Sequence, residues 1–369
     1  MSWINPATLA AAVAAVACIV TILATGLLLR QLQARSILDH PNERSSHDRA
    51  VPRGGGIAVM GVVAGGWCLW AWWQGHSLPL LAVAALAVIL AAVSFMDDLR
   101  GLPALPRLAI QAVAVALGCL ALPDGAIFQG LLPDVADRLL AGFFWLWFVN
   151  LYNFMDGIDG ITVVETGAIA IGLVLLTAVA GVAAPLPTPA PLAMPAAIIA
   201  GAAIGFAVWN WHPAKIFLGD VGSVGLGFLL GWLLLSLAAS GQWLPALLLP
   251  LYYLTDATWT LLRRLIRGEK VWQAHRTHFY QYAVRHGSGQ GDAQGGGHAH
   301  VALMILGCNL VLIAAAIWAA KSQTLWPPLA LGCAAVAFLL YKFTTMKTVA
   351  KTVAKADAHT GAKSQDEAN

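Results

Sequence analysis

Apolar residues in this chain come in long unbroken blocks rather than in alternation. No Asp, Glu, Lys or Arg occurs within 1–29, 54–96, 166–214 or 221–255. A helix needs about 20 apolar residues to cross a bilayer core, and backbone in lipid is satisfied only inside helices or closed barrels. The blocks therefore predict an all-α, polytopic transmembrane bundle. Eleven spans are expected, at about 6–29, 54–74, 78–96, 106–122, 138–153, 160–181, 194–211, 222–239, 243–262, 301–319 and 326–343. They make one integral-membrane domain, 1–343, followed by a basic tail, 344–369. In that tail Lys347, Lys351 and Lys355 recur every fourth residue, the spacing of one basic helix face or of a solvated tail. The first block is too long for a signal-peptide core, so it reads as a retained first span.

Charge sharpens the picture through its position. The connections alternate between two sides, and 19 of the 21 Lys and Arg fall on one of them, leaving only Arg138 and Lys321 opposite. By the positive-inside rule the basic side is cytoplasmic, the N-terminus outside and the C-terminus inside. Hydrophobic residues make up 59% of the chain and charged ones 11%, against about 25% charged in soluble domains. No basic face with interleaved aromatics appears, so nucleic acid is not an expected partner. The five cysteines lie inside apolar blocks without a CxxC pair and read as small core residues.

Every unusual polar cluster falls on the basic side. Asp97 and Asp98 end the apolar run 78–96, where negative charge opposes the helix dipole and calls for a partner. The first loop carries Asp39, Arg44 and His47 and runs into Arg53-Gly54-Gly55-Gly56, whose glycines serve either close helix packing or, with Arg44 and Arg53 beside them, an anion such as phosphate at the helix start. Asn153, Asp156 and Asp159 step by three with glycines between, an oxygen-rich turn suited to a hard cation or a polar ligand. Asn210, Lys215 and Asp220 follow between two later spans; Asp220 is either a helix cap or a site residue, and Lys215 offers phosphate a cation. The longest basic-side loop holds His275-Arg276-Thr277-His278, a spacing that suits phosphate better than zinc. Asp256, two turns before Arg263, either pairs with a basic residue or faces the site. His298 and His300 read as flexible loop.

Taken together, residues 39–56, 94–101, 150–160, 210–223 and 263–281 resemble, in order, the motifs of the polyprenyl-phosphate N-acetylhexosamine-1-phosphate transferases, relatives of phospho-N-acetylmuramoyl-pentapeptide transferase. The resemblance implies transfer of an amino-sugar-1-phosphate from a UDP-sugar to undecaprenyl phosphate, releasing UMP, with Mg2+ required and Mn2+ as a substitute. It implies that Asp97 and Asp98 are the catalytic pair, Asp97 orienting or deprotonating the acceptor. Asp156, Asp159 and His278 join them, and Asn153, Asn210, His275 and Arg276 bind substrate. Asp220 is the principal metal ligand, with Asp98 and the Asn153 carbonyl beside it. Relatives also imply a homodimer. The second histidine of the family's last motif is Tyr280 here, a variant similar to the branch that starts O-antigen-type glycans with dideoxy amino sugars. An apolar groove for the lipid chain is expected to lead to Asp97 and Asp98. Three rivals fit less well. A transporter would keep its polar residues near mid-membrane, often with internal repeats; a non-catalytic lipid-carrier-binding scaffold has no use for five acidic motifs on one side; a CDP-alcohol phosphotransferase would show one dense Asp-Gly motif.

Overall fold

The computed structural model describes residues 5–35, 38–39, 50–179, 192–270, 275–287 and 296–366, the last twenty as backbone only. Arg44, His47 and most of the Pro-rich loop 182–193 lie outside the described residues, as do the side chains of Asp39, Lys347, Lys351 and Lys355. The chain is an all-α membrane bundle. Its helices are α1 Pro6–Ala34, α2 Gly56–Trp73, α3 Leu78–Arg100, α4 Ala104–Cys119, α5 Asp134–Phe154, α6 Ile161–Val179, α7 Ala193–Asn210, α8 Asp220–Ala239, α9 Trp243–Leu248, α10 Leu251–Ile266, α11 Phe279–Gly287, α12 Gly296–Ser322 and α13 Trp326–Asp366. Eight of these, α1, α2, α3, α6, α7, α8, α12 and α13, are long and apolar enough to cross a membrane, and α4 is a shorter apolar helix. Two short strands, β1 Leu38–Asp39 and β2 Val51–Pro52, pair antiparallel beside the start of α2.

Helix α8 is the axis of the bundle. Almost all of its residues are buried, and it packs on α2, α3, α5 and α9. Glycines make this close packing possible. A Cβ on Gly56 would meet the Cα of Gly222 at 2.5 Å, and one on Gly225 would meet the Met60 methyl at 2.6 Å. Small residues let backbones approach where lipid supplies no hydrophobic driving force between helices. Around this axis Trp145 stacks on Phe228, with ring centroids 4.6 Å apart, and its indole donates to the Phe228 carbonyl at 2.9 Å. The aromatic run of α5 is thus divided: Trp145 and Phe148 are core, while Phe143 and Phe144 face outward.

One expected span is broken. The segment 243–262 forms two helices, α9 and α10, parted at Leu249–Pro250. Pro250 has no N–H to give the preceding turn, and its ring crowds that turn's carbonyl. Beyond the break α10 is amphipathic, burying Tyr252, Tyr253, Asp256, Thr260 and Arg264 and exposing Trp259, Leu262, Leu265 and Ile266. The short helix α11 was expected as loop. The last helix runs unbroken from Trp326 to Asp366, so the basic tail continues α13.

Candidate active site

Four chain segments bring their charged groups to one end of the bundle. Asp98, at the end of α3, and Asp220, at the start of α8, both pair with the same Arg53 nitrogen, Nη2, at 3.0 and 2.9 Å. Arg107, in the first turn of α4, pairs with Asp97 and stands 3.6 Å from the second Asp220 oxygen. Asp97 also accepts the Leu102 N–H at 2.6 Å, so both of its oxygens are engaged. Asn153, at the end of α5, donates to Asp220 at 3.3 Å and accepts the Ser223 hydroxyl at 2.6 Å. The acids sit where the fold puts them: Asp97 and Asp98 follow a transmembrane run, and Gly219, in a left-handed conformation at φ 74°, turns the chain into α8. Asp220 is the first residue of that helix, and its carboxylate takes Arg53 and Asn153.

The glycines before α2 follow the packing alternative. The N–H groups of Gly54 and Gly55 donate to the Phe217 carbonyl at 3.2 and 2.8 Å, and that of Gly56 to Leu218 at 2.8 Å. With Phe217 N–H donating to Pro52 at 2.9 Å, they clasp the start of α2 to the start of α8. The glycines are spent on this clasp and on close helix packing, not on an anion. Arg53 lies beside the clasp, which aims its side chain between Asp98 and Asp220.

The turn between α5 and α6 carries the next group. Asp156 accepts the Thr162 hydroxyl at 2.6 Å. Burial pushes its carboxyl up to about 6, with repulsion from Asp220 adding to the rise and the Thr162 bond and Arg53 opposing it. Asp159 takes His212 Nδ1 at 2.6 Å and the Ala214 N–H at 3.1 Å on one oxygen, and its own N–H donates to His298 at 3.3 Å. Burial alone would raise this carboxyl; the His298, Ala214 and His212 contacts outweigh it and hold it below the usual carboxylate range. Asn210 is buried, accepting the Gly160 N–H at 3.2 Å and donating to Ile216 at 3.0 Å. Asp159 and Asn210 therefore tie the turn to the α7–α8 connection. Lys215 is not brought to the acids: it is exposed and lies 5.5 Å over the Trp209 ring.

The loop 275–278 completes the set. His278 is buried and His275 stacks on it, ring centroids 4.8 Å apart. Burial, then His278 and Arg264, push His275 down to about 4, which leaves it neutral at physiological pH. The Nε2 atoms of both histidines are buried with no hydrogen-bond partner among the described residues. Tyr280 is fully buried and donates to the Phe154 carbonyl at 3.2 Å, wedged against Gly157. The site thus includes residues to which sequence reasoning gave no role, Arg107, Ser223 and His212, and His298, expected with His300 as flexible loop, is instead buried in the first turn of α12 against Asp159. Arg107 alone left a signal, a lone cation in the first turn of an apolar helix, where it opposes the dipole.

An all-oxygen donor set of Asp98, Asp220 and the Asn153 amide suits a hard divalent cation. The second Asp98 oxygen is buried, and besides Arg53 the donor acting on this carboxyl is the Asp220 N–H, which leaves lone pairs for such an ion. As placed, Asn153 turns its amide nitrogen to Asp220 and its oxygen to Ser223. It orients Asp220 here and offers a carbonyl only if the amide turns over.

Comparison with known proteins gives a consistent picture. The sequence pattern of glycosyl transferase family 4 matches residues 80–238, from early in α3 to the end of α8. The chain is similar to a probable undecaprenyl-phosphate N-acetylglucosaminyl 1-phosphate transferase of Bacillus subtilis, 27% identical over 301 residues and 78% of each chain. It is 34% identical over 265 residues to the phospho-N-acetylmuramoyl-pentapeptide-transferase of Mycobacterium avium, covering 58% of this chain and 72% of that one. It is 32% identical over 242 residues to the decaprenyl-phosphate N-acetylglucosaminephosphotransferase of Mycolicibacterium smegmatis, where it spans 58% of its own length and 57% of the relative's.

Proposed function

Because this chain belongs to glycosyl transferase family 4, the polyprenyl-phosphate N-acetylhexosamine-1-phosphate transferases, we propose that it moves an amino-sugar-1-phosphate from a UDP-sugar to undecaprenyl phosphate. The lipid phosphate oxygen attacks the sugar-bearing phosphorus of the UDP-sugar. A new P–O bond forms to the lipid phosphate, the P–O bond to UMP breaks, and UMP leaves with the electron pair. The chemistry needs positioning and charge neutralisation more than covalent help, and no aspartyl-phosphate forms. One observation carries the reading: Arg53, Asp97, Asp98, Arg107, Asn153 and Asp220, from separate segments, converge on one cluster.

Both substrates are anions and repel each other. Arg53 and Arg107 supply fixed positive charge where they meet. Asp98 and Asp220 would hold Mg2+, which neutralises charge building on the leaving UMP. Asp97, with both oxygens hydrogen-bonded, favours orienting the acceptor over taking its proton. His275 and His278 offer their unpartnered Nε2 atoms to the diphosphate. The site faces the cytoplasm of a bacterial inner membrane, in keeping with the basic residues clustered on its side. Tyr280 supports the O-antigen-type branch and a dideoxy amino sugar as donor.

The test is reconstituted protein with undecaprenyl phosphate, Mg2+ and a panel of radiolabelled UDP-amino sugars. UMP and a labelled lipid are expected with at least one donor, and both are lost with chelator or in Asp220→Asn. No UMP from any donor, or near-normal turnover in a folded Asp220→Asn, would overturn the reading.

A further inference from the structure

Asp256 lies within α10 and has no solvent exposure. Five donors converge on its carboxylate. Two come from its own helix, one turn to either side: the Tyr252 hydroxyl at 3.2 Å and the Thr260 hydroxyl at 3.4 Å. Three come from the loop and helix that follow: His278 Nδ1 at 3.3 Å, the Phe279 N–H at 3.1 Å and the Tyr280 N–H at 3.3 Å. The first N–H groups of a helix have no partner within it. Asp256 supplies that partner for α11 from a different helix, and its negative charge suits the helix start.

The consequence reaches His278. With Nδ1 on the carboxylate, the ring is held one way round, and Nε2 is the nitrogen left for a ligand. That atom is buried and unpartnered. Stacking by His275 at 4.8 Å and by Tyr280 at 5.7 Å fixes the plane of the ring as well. We propose that Asp256 is a positioning residue of the transfer reaction: it holds the Nδ1–H of His278 and so turns Nε2 to the site, where in the doubly protonated ring the Nε2–H donates to the diphosphate. The identity of that ligand rests on the function proposed above; the tether does not.

A double-mutant cycle separates this from simple anchoring of α11. Turnover and KM for the UDP-sugar are measured in the full reconstituted chain for wild type, Asp256→Asn, His278→Asn and the double variant. Asn keeps the size of Asp, but its NH2 cannot accept the donors on one side. Loss of the carboxylate behind a functional histidine is expected to cost about 10-fold to 100-fold in turnover, the range known for such partners in metal sites. In the double variant the Asp256 substitution adds nothing to the His278 loss. Losses that multiply, or an Asp256→Asn enzyme with wild-type turnover, would overturn the proposal. Should Asp256→Asn not fold, 15N-histidine labelling of the wild-type chain at alkaline pH reads the tautomer directly. The signal that vanishes in His278→Asn should be the Nδ1–H form, and an Nε2–H signal would overturn the proposal. This readout stands even if no donor is turned over, so failure of the transferase reading and failure of the Asp256 reading are told apart.

Discussion

Gly157 is the position where one methyl group should do the most damage. It sits in the turn after α5, directly after Asp156. A Cβ built there falls on the Tyr280 hydroxyl, closer than real contacts allow, with Gln281 Nε2 at 3.0 Å and Tyr280 Cζ at 3.2 Å. The backbone is not left-handed at Gly157, so a generic Gly→Ala change would stabilise by about 0.4–1 kcal/mol through the unfolded chain. The structure demands the opposite sign. Overpacking costs about 1–3 kcal/mol. Pushing the Tyr280 hydroxyl off the Phe154 carbonyl leaves a buried polar group unpaired, about 1–3 kcal/mol more. The net expectation for Gly157→Ala is a loss of about 1–5 kcal/mol. If the turn yields instead, Asp156 moves with it, and a misplacement of about 1 Å lowers turnover on the order of 100-fold. Thermal unfolding in detergent and UMP release distinguish these outcomes. Adding Tyr280→Phe removes the colliding oxygen and leaves Cζ at 3.2 Å and Gln281 Nε2 at 3.0 Å, close contacts that a shift of a few tenths of an ångström relieves, so the double variant should recover part of whichever property was lost. A Gly157→Ala protein as stable and active as wild type, or a double variant no better than the single, would refute the packing argument.

Two further outcomes follow from the same cluster. The folded chain holds the Asp156 proton up to about pH 6, against 3.8 ordinarily, so the stability this group contributes is complete below about pH 4 and is lost as pH rises through about 6. Thermal unfolding of wild type and Asp156→Asn across that window should shift in favour of Asn as pH rises; a constant difference would count against it. Arg107→Ala removes the partner of Asp97 and a near neighbour of Asp220, and turnover should fall about 10-fold to 100-fold, the worth of a charge-assisted hydrogen bond; wild-type turnover from a folded variant would discount Arg107.

Much of the membrane architecture was legible because it depends on local composition. Charge-free runs are forced into helices by the bilayer, and all eleven expected segments are helical, 243–262 in two pieces. Pro250 was visible in that stretch, but whether a proline kinks a span or ends it depends on what the freed backbone meets. The candidate site was legible as a set of acids on one side, since acids at helix ends stand out in apolar sequence. Their partners were not. Arg53 and Asp220 are 167 positions apart, and no spacing rule couples them. Phosphate binding by the glycines before α2 was a local inference, undone by the carbonyls of residues 217 and 218 arriving from afar. Lys215 was assigned by proximity in sequence to Asp220, while its side chain found Trp209 instead. Asp256 showed as a buried charge, but its role depends on a loop more than twenty residues later.

The clasp between residues 52–56 and 217–218 also sets a timetable for biogenesis. A nascent chain releases α2 and α3 from the ribosome long before α8 is synthesised, so Arg53 and Asp98 wait in the membrane without the third charge that organises them. The cluster of Arg53, Asp98 and Asp220 then closes in one late step, when α8 seats against α2. A polypeptide halted before that helix lacks Asp220, the group on which Arg53 and Asn153 converge, and so has no assembled cluster at all.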